Sequence, residues 1–157
     1  MHLNNNYIHI FTDGASLVHK NKLSGWGAVL LYKDLLKEIS GVEPNSTNNK
    51  MELKACIKAL EQIKTNHIPI KIYSDSTYVV NGMNEWIYNW QLNGWKSNKQ
   101  KIKNKELWEE LYSLSQKQDD VEFVKVKGHA GIKWNERADE LCTNAIDEYK
   151  QDKEKKT

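Results

Sequence analysis

The chain contains few of the residues that staple or interrupt a fold. Its 157 residues include only two cysteines and two prolines, which supports neither a disulfide framework nor a zinc site. No stretch approaches the ~20 consecutive apolar residues of a membrane helix, and no apolar segment typical of secretory signals follows Met1. We therefore expect a cytoplasmic protein without membrane contact, in which Cys56 and Cys142 are buried, reduced thiols.

A large excess of one charge is also lacking. The net charge is +2, so overall charge does not indicate a nucleic-acid-binding protein. The distribution of charge is more informative, because residues 96–105 contain five lysines and no acid. Hydrophobic residues at 39%, charged residues at 28% and the lack of a Pro/Gly/Ser-rich linker are typical of one globular domain. We place this domain at residues 1–149 and expect a short, frayed, lysine-rich tail at residues 150–157.

The spacing of apolar residues predicts an alternation of strands and helices. Predicted strands cover residues 7–13, 26–32, 35–42, 70–74 and 121–126, and predicted helices cover about 47–64, 76–93, 107–114 and 135–149. Asp13-Gly14 is expected to end the first strand, and Asn135 to cap the last helix. The order β-β-β-α-β-α-α-β-α, with a hairpin between the second and third strands, indicates an α/β fold with a mixed sheet covered by helices.

Four acidic residues occupy positions that favour a functional site. Asp13 and Asp75 follow predicted strands, whose carboxyl ends are where sites form in α/β sheets. Glu52 and Asp139 share the apolar faces of their helices. Each acid alone is explained as a turn residue, a cap or a helix-dipole partner. Four partly buried carboxylates together would repel one another, and hard divalent cations such as Mg²⁺ or Mn²⁺ would remove that cost.

Short motifs around these acids occur in the order and spacing of a known family. They are TDG at 12–14, TNNKME at 47–52, SDS at 74–76, GHAG at 128–131 and NERAD at 135–139. Together they resemble type 1 ribonuclease H, in the stand-alone form found in bacteria. The resemblance implies a ribonuclease H-like fold, with a five-stranded mixed sheet flanked by helices. It also implies a metal-dependent endonuclease that cuts the RNA strand of RNA–DNA hybrids, leaving 5′-phosphate and 3′-hydroxyl ends.

The same resemblance assigns the catalytic roles. Asp13, Glu52, Asp75 and Asp139 would hold two Mg²⁺ ions, which Mn²⁺ could replace, with Asp13 bridging both. His129 would shuttle a proton or assist product release, although a loop histidine is more often simply solvated. Alternative interpretations are a junction resolvase or integrase, a reverse-transcriptase domain, and a nucleic-acid-binding module without catalysis. The last would be expected to lack one of these five residues.

The resemblance also implies contacts with the RNA–DNA hybrid. Asn48 and Asn49 would contact RNA 2′-hydroxyls, Trp86 and Trp90 would line the DNA-strand channel, and Thr47, Ser97 and Asn104 would bind DNA phosphate or line that channel. Helix capping, core packing and a solvated lysine loop remain the alternatives for these segments. His19 stands where many members have an asparagine, which leaves its RNA contact open. We expect the chain to act as a monomer.

Overall fold

The computed structural model describes residues 2–17, 23–96 and 101–155, and the predictions for His19 and Ser97 lie outside the described residues. The strands are β1 (Ile8–Leu17), β2 (Leu23–Tyr32), β3 (Leu35–Pro44), β4 (Ile70–Ser74) and β5 (Val121–Lys125). The helices are α1 (Asn48–Glu61), α2 (Thr77–Asn81), α3 (Ile87–Leu92), α4 (Lys105–Gln116) and α5 (Lys133–Lys155), with a π-helical segment (Gly82–Trp86) between α2 and α3. The predicted order is confirmed, except that the helix predicted over 76–93 consists of three consecutive segments.

Within the described residues, five strands form one mixed sheet in the order β3-β2-β1-β4-β5. The first three strands are antiparallel neighbours, whereas β1, β4 and β5 are parallel. Alternation along β1 places Ile8 and Ile10 in a core with residues of α1 and α4, and Phe11 in a second core with Ala138 of α5. Helices therefore cover both faces of the sheet, as the element order predicted.

The first strand does not end at Asp13-Gly14, as the sequence predicted. It continues to Leu17, because β2 pairs with it in antiparallel register as far as Leu17 opposite Leu23. Its parallel partner β4 ends earlier, with Ser74 opposite Thr12. Asp13 is thus the first residue of β1 beyond the parallel pairing, and it lies at the carboxyl edge of the parallel part of the sheet.

Two predicted helix ends also differ in the structure. Asn135 is not a cap, because α5 begins at Lys133 and buries Asn135 to 3% exposure. The loop before α5 is held instead by Glu136, whose Oε1 accepts the Gly131 N–H at 3.1 Å. The tail predicted to fray from Lys150 is helical to Lys155, in keeping with its lysine and glutamate content.

The structure bears on two earlier predictions: that both cysteines are buried thiols and that the chain has no membrane-spanning helix. Cys56 and Cys142 are free and fully buried, as predicted, and burial raises the pKa of both thiols to about 12. No helix among the described residues combines the length and apolarity that crossing a bilayer demands.

Candidate active site

Three carboxylates meet where the parallel part of the sheet ends. Asp13 of β1, Glu52 of α1 and Asp75, which follows β4, each place one carboxylate oxygen within 4.8 Å of the others. Glu52 is 7% exposed and Asp13 9% exposed, whereas Asp75 is half-buried. We call these three residues the acidic cluster. They come from segments up to 62 residues apart in sequence, and the sheet and α1 bring them together.

Gly14 explains how α1 comes close enough for Glu52 to reach Asp13. A Cβ at Gly14 would lie 2.4 Å from the Met51 carbonyl carbon, so any other residue would push α1 away from β1. The Gly14 N–H donates to Glu52 Oε1 at 2.9 Å and to Asp13 Oδ1 at 3.0 Å. The TDG motif therefore supplies an acid and the backbone donor that holds a second acid beside it.

The acidic cluster is electrostatically unfavourable in the protein alone. Burial raises the pKa of Asp13 to about 7, the hydrogen bond with Glu52 lowers it, and the charges of Asp75 and Asp139 raise it. Burial and the charge of Asp13 raise the pKa of Glu52 well above its usual value. Burial also raises the pKa of Asp75, partly offset by the positive charges of Lys125 and His129. At neutral pH the cluster resists carrying its full negative charge.

The donor set fits a hard divalent cation. Glu52 Oε2 is buried and has no hydrogen-bond partner, an arrangement that costs free energy unless the oxygen has another ligand. The cluster offers carboxylate oxygens, the ligands that Mg²⁺ and Mn²⁺ prefer over the nitrogen and sulfur ligands of zinc. A cation there would satisfy the orphaned oxygen and offset the repulsion among the three acids.

Asp139 and His129 border the cluster on the α5 side. Asp139 of α5 is half-buried and close enough to Asp13 to raise the pKa of that residue through a hydrogen bond and through its charge. His129 is exposed, has a φ of 54°, and lowers the pKa of Asp75. A Cβ at Gly128 would lie 2.7 Å from Asp75 Oδ2, so the loop lies directly against that acid. The structure thus gathers all five predicted catalytic residues at one edge of the sheet.

The start of α1 lies beside the same edge. Thr47 caps the helix, since its side chain accepts the Lys50 N–H at 3.2 Å. Asn48 is exposed, and its Oδ1 accepts the Ser16 N–H of β1 at 2.6 Å, which leaves its amino group to donate elsewhere. Asn49 is exposed in the first turn. Sequence analysis missed Ser16, whose contact with Asn48 spans 32 residues and leaves no local pattern.

Four aromatic residues form a second feature, which we call the aromatic platform: Tyr78, Trp86, Trp90 and Trp108. Ring centroids are 5.8 Å apart for Tyr78–Trp86, 6.0 Å for Trp86–Trp90 and 5.4 Å for Trp90–Trp108. Exposure differs within the group, because Trp108 is fully buried whereas Trp86 is 36% exposed. Trp90 packs against the core, so the core-packing alternative describes Trp90 better than Trp86.

Asn104 joins this platform from the start of α4. Its backbone is left-handed (φ 58°, ψ 32°), and its Nδ2 donates to the Tyr78 hydroxyl at 3.1 Å. Tyr78 was missed by sequence analysis, although it lies eight residues before Trp86 in the predicted helix, a spacing that occurs on one helix face.

The fold and its acidic edge define an α/β protein with a candidate site for a divalent cation. The sequence profile of the RNase H family matches residues 5–147. A curated ribonuclease H from Francisella philomiragia is 49% identical over 144 residues, which cover 91% of this chain and 93% of that relative. The enzyme of Francisella tularensis subsp. novicida matches at the same identity and coverage.

Comparison with solved structures leads to the same family. LC9-RNase H1, described as a type 1 RNase H with the type 2 active-site motif, has a TM-score of 0.80 at 27% identity, covering 93% of this chain and 74% of that one. LC11-RNase H1, solved in complex with an RNA/DNA hybrid, has a TM-score of 0.70 at 25% identity, covering 90% and 98%. The chain belongs to the RNase H family and is an endonuclease of that family. The predicted family, fold and enzyme class are confirmed.

Proposed function

We propose that this ribonuclease H hydrolyses the RNA strand of RNA–DNA hybrids at the acidic cluster, leaving 5′-phosphate and 3′-hydroxyl ends. The observation that carries the proposal is the cluster itself: three carboxylates within 4.8 Å, one with an orphaned buried oxygen. A purely structural role would not gather three like charges at a cost in stability. The hybrid bound by the related LC11-RNase H1 supports the choice of substrate.

The residues around the cluster have distinct proposed roles. Asp13, Glu52 and Asp75 would hold one Mg²⁺ ion, and Asp13 with Asp139 a second, with Mn²⁺ as a possible replacement. When bound, the ions supply activation of water and neutralisation of charge at the phosphate. Burial of Asp13 and Glu52 lowers the local dielectric and strengthens every electrostatic interaction there. His129, exposed beside Asp75, would take up or release a proton at its imidazole.

The hybrid would lie across the cluster and the aromatic platform. The free amino group of Asn48, together with Asn49, would contact RNA 2′-hydroxyls. The remaining proposed contacts are with the DNA strand, through Thr47, Trp86, Trp90, Ser97 and Asn104. Exposed Lys101, Lys103 and Lys105 would add salt-dependent attraction to phosphates. We further propose a single domain over residues 1–149 that acts as a cytoplasmic monomer.

The test is cleavage of end-labelled RNA in four forms: paired to DNA, paired to RNA, single-stranded, and as one ribonucleotide within duplex DNA. Each is incubated with Mg²⁺, Mn²⁺ or chelator, beside an Asp13→Asn variant. We expect metal-dependent cutting of the hybrid alone, lost in the variant. Binding of the hybrid without cutting, equal in both proteins, would contradict the proposal and favour a non-catalytic binding module.

A further inference from the structure

The Tyr78 hydroxyl is the centre of a hydrogen-bonded group beneath the aromatic platform. Asn104 Nδ2 donates to it at 3.1 Å, and Trp108 Nε1 donates to it at 2.9 Å. The N–H groups of an indole and of a side-chain amide can only donate hydrogen bonds. The phenolic oxygen therefore accepts both bonds. Its own hydrogen is left to donate to a further group. Tyr78 as a whole is half-buried.

Asn104 is fixed at two points by this arrangement. Its side-chain amide is held by Tyr78, and its carbonyl oxygen accepts the Trp108 backbone N–H at 3.0 Å. The backbone is left-handed, a conformation that asparagine tolerates better than most residues. The bond to Tyr78 uses one amino hydrogen and restricts the side chain, which limits the directions open to the second amino hydrogen. An amide held in this way is a preorganised donor.

The same tyrosine also contacts the exposed part of the platform. Its ring centroid is 5.8 Å from that of Trp86 and 5.1 Å from that of Trp108. Trp108 in turn fits beneath Gly82, where a Cβ would lie 2.0 Å from the indole ring. Tyr78 therefore connects two residues proposed to contact the DNA strand, Asn104 and Trp86, to a fully buried support.

We propose that the Tyr78 hydroxyl is a positioning group for the DNA strand. It holds the Asn104 amide in one orientation, so that the remaining N–H is presented to a DNA phosphate oxygen. Neutral N–H donors bind phosphates and set the register of a duplex without reading its sequence. The inference rests on the proposed function, since it requires the hybrid to pass over Asn104.

The first test is Tyr78→Phe, which keeps the ring contacts and removes the acceptor. We expect KM for the hybrid to rise about three- to tenfold, the effect of losing one or two hydrogen bonds, with kcat changed less than about twofold. Asn104→Ala should give a similar rise, and the double variant should be no worse than Asn104→Ala alone, because both changes break one link. Tyr149→Phe, on the α5 side of the sheet, is the matched control and should leave KM unchanged.

The second test asks which phosphate is involved. In a series of hybrids, one DNA phosphate at a time is replaced by an uncharged methylphosphonate. Wild-type KM should rise at each position whose phosphate is contacted. At one of these positions Tyr78→Phe should show no further rise, while it keeps its defect at all the others.

Two results would overturn the inference while leaving the proposed function intact. One is a wild-type KM for Tyr78→Phe, even with a lowered melting temperature, which would make the hydroxyl merely structural. The other is a defect that no methylphosphonate position removes. A wild-type chain that neither binds nor cuts hybrid would instead overturn the proposed function, and this inference with it.

Discussion

The acidic cluster and the aromatic platform are the two parts of the proposed substrate-binding surface, and they have opposite effects on the stability of the free protein. The cluster packs three carboxylates within 4.8 Å and leaves a buried oxygen unpartnered. The platform instead holds two of its polar groups by internal hydrogen bonds, since the Trp108 indole and the Asn104 amide both donate to Tyr78. The cluster thus lowers the stability of the protein alone, a cost that a bound cation would offset. The platform, by contrast, stabilises the fold whether or not a ligand is bound. Substitutions in the two regions should therefore change activity and stability in different combinations.

The largest effect is expected for activity at the cluster. Glu52→Gln keeps the size of the side chain and removes one charge and one cation ligand. We expect hybrid cleavage to fall by roughly a hundredfold or more, because a preorganised charged group at a reaction centre has effects of this size. The measurement is single-turnover cleavage across a range of Mg²⁺ concentrations. The same change at exposed Glu61, which pairs with Lys58 at 3.5 Å on the far end of α1, is the control and should leave cleavage intact.

The next effect is on stability and has the opposite sign. Asp13→Asn should make the metal-free protein more stable at pH 8, by on the order of a few kcal/mol, because the carboxylate no longer has to ionise in a buried site. The pKa of Asp13 is raised to about 7 from its ordinary value of 3.8, so between these values the folded state binds more protons than the unfolded state. Wild-type stability should therefore decrease as pH rises through this window. The stability of Asp13→Asn should decrease much less over the same range.

Urea unfolding with chelator at pH 5 and pH 8 measures this difference. A variant that is less stable than wild type at pH 8 would show that the cluster is not strained, and would remove the contrast with the platform. Added Mg²⁺ should stabilise the wild-type chain and leave Asp13→Asn nearly unchanged.

A packing change in the platform should lower the stability of the fold and, unlike Asp13→Asn, should bring no gain in stability at any pH. Gly82→Ala would place its Cβ 2.0 Å from the Trp108 ring, which has no exposed surface to move into. We expect a loss of about 2 kcal/mol at every pH, the usual size of overpacking in a core. Thermal unfolding should show it as a fall of roughly 4–8 °C. Glu85→Ala, an exposed site in the same π-helical segment, should fall far less.

Gly82 also shows where sequence reasoning reaches its limit. The order of elements, the mixed sheet covered by helices and the acid-bearing motifs follow from periodicity and local residue choice, and these were predicted. The division of the 76–93 helix into three segments was not predicted. Trp108 packs against Gly82, where the second segment begins, from 26 residues away, and local periodicity does not contain such a contact. The position of Asp13 was right although the strand end was wrong, since the sheet edge is set by where β4 stops.

The same limit applies to the polar contacts of the site. Asn48 with Ser16 and Asn104 with Tyr78 are single bonds between distant segments, and no periodic pattern encodes them. By contrast, Gly14 and Glu52 were both in short motifs, so their proximity could be expected from the resemblance even though the 2.9 Å bond could not.

The smallest effect sharpens the electrostatic side of the comparison. Lys125 lowers the pKa of Asp75 through its charge, and its Nζ donates to the Val126 carbonyl oxygen at 3.0 Å. Lys125→Met should therefore increase repulsion in the metal-free cluster, with a loss of roughly 0.5 kcal/mol or less at pH 8, since Lys125 is exposed and its charge is screened. The difference should shrink near pH 4, because the raised pKa values of the three carboxyls favour their protonated, uncharged forms as the pH falls. Urea unfolding at both pH values measures it, with Lys117→Met at an exposed position after α4 as the control. An equal loss at pH 4 and pH 8 would assign the effect to the lost hydrogen bond with Val126 and not to the charge of the cluster.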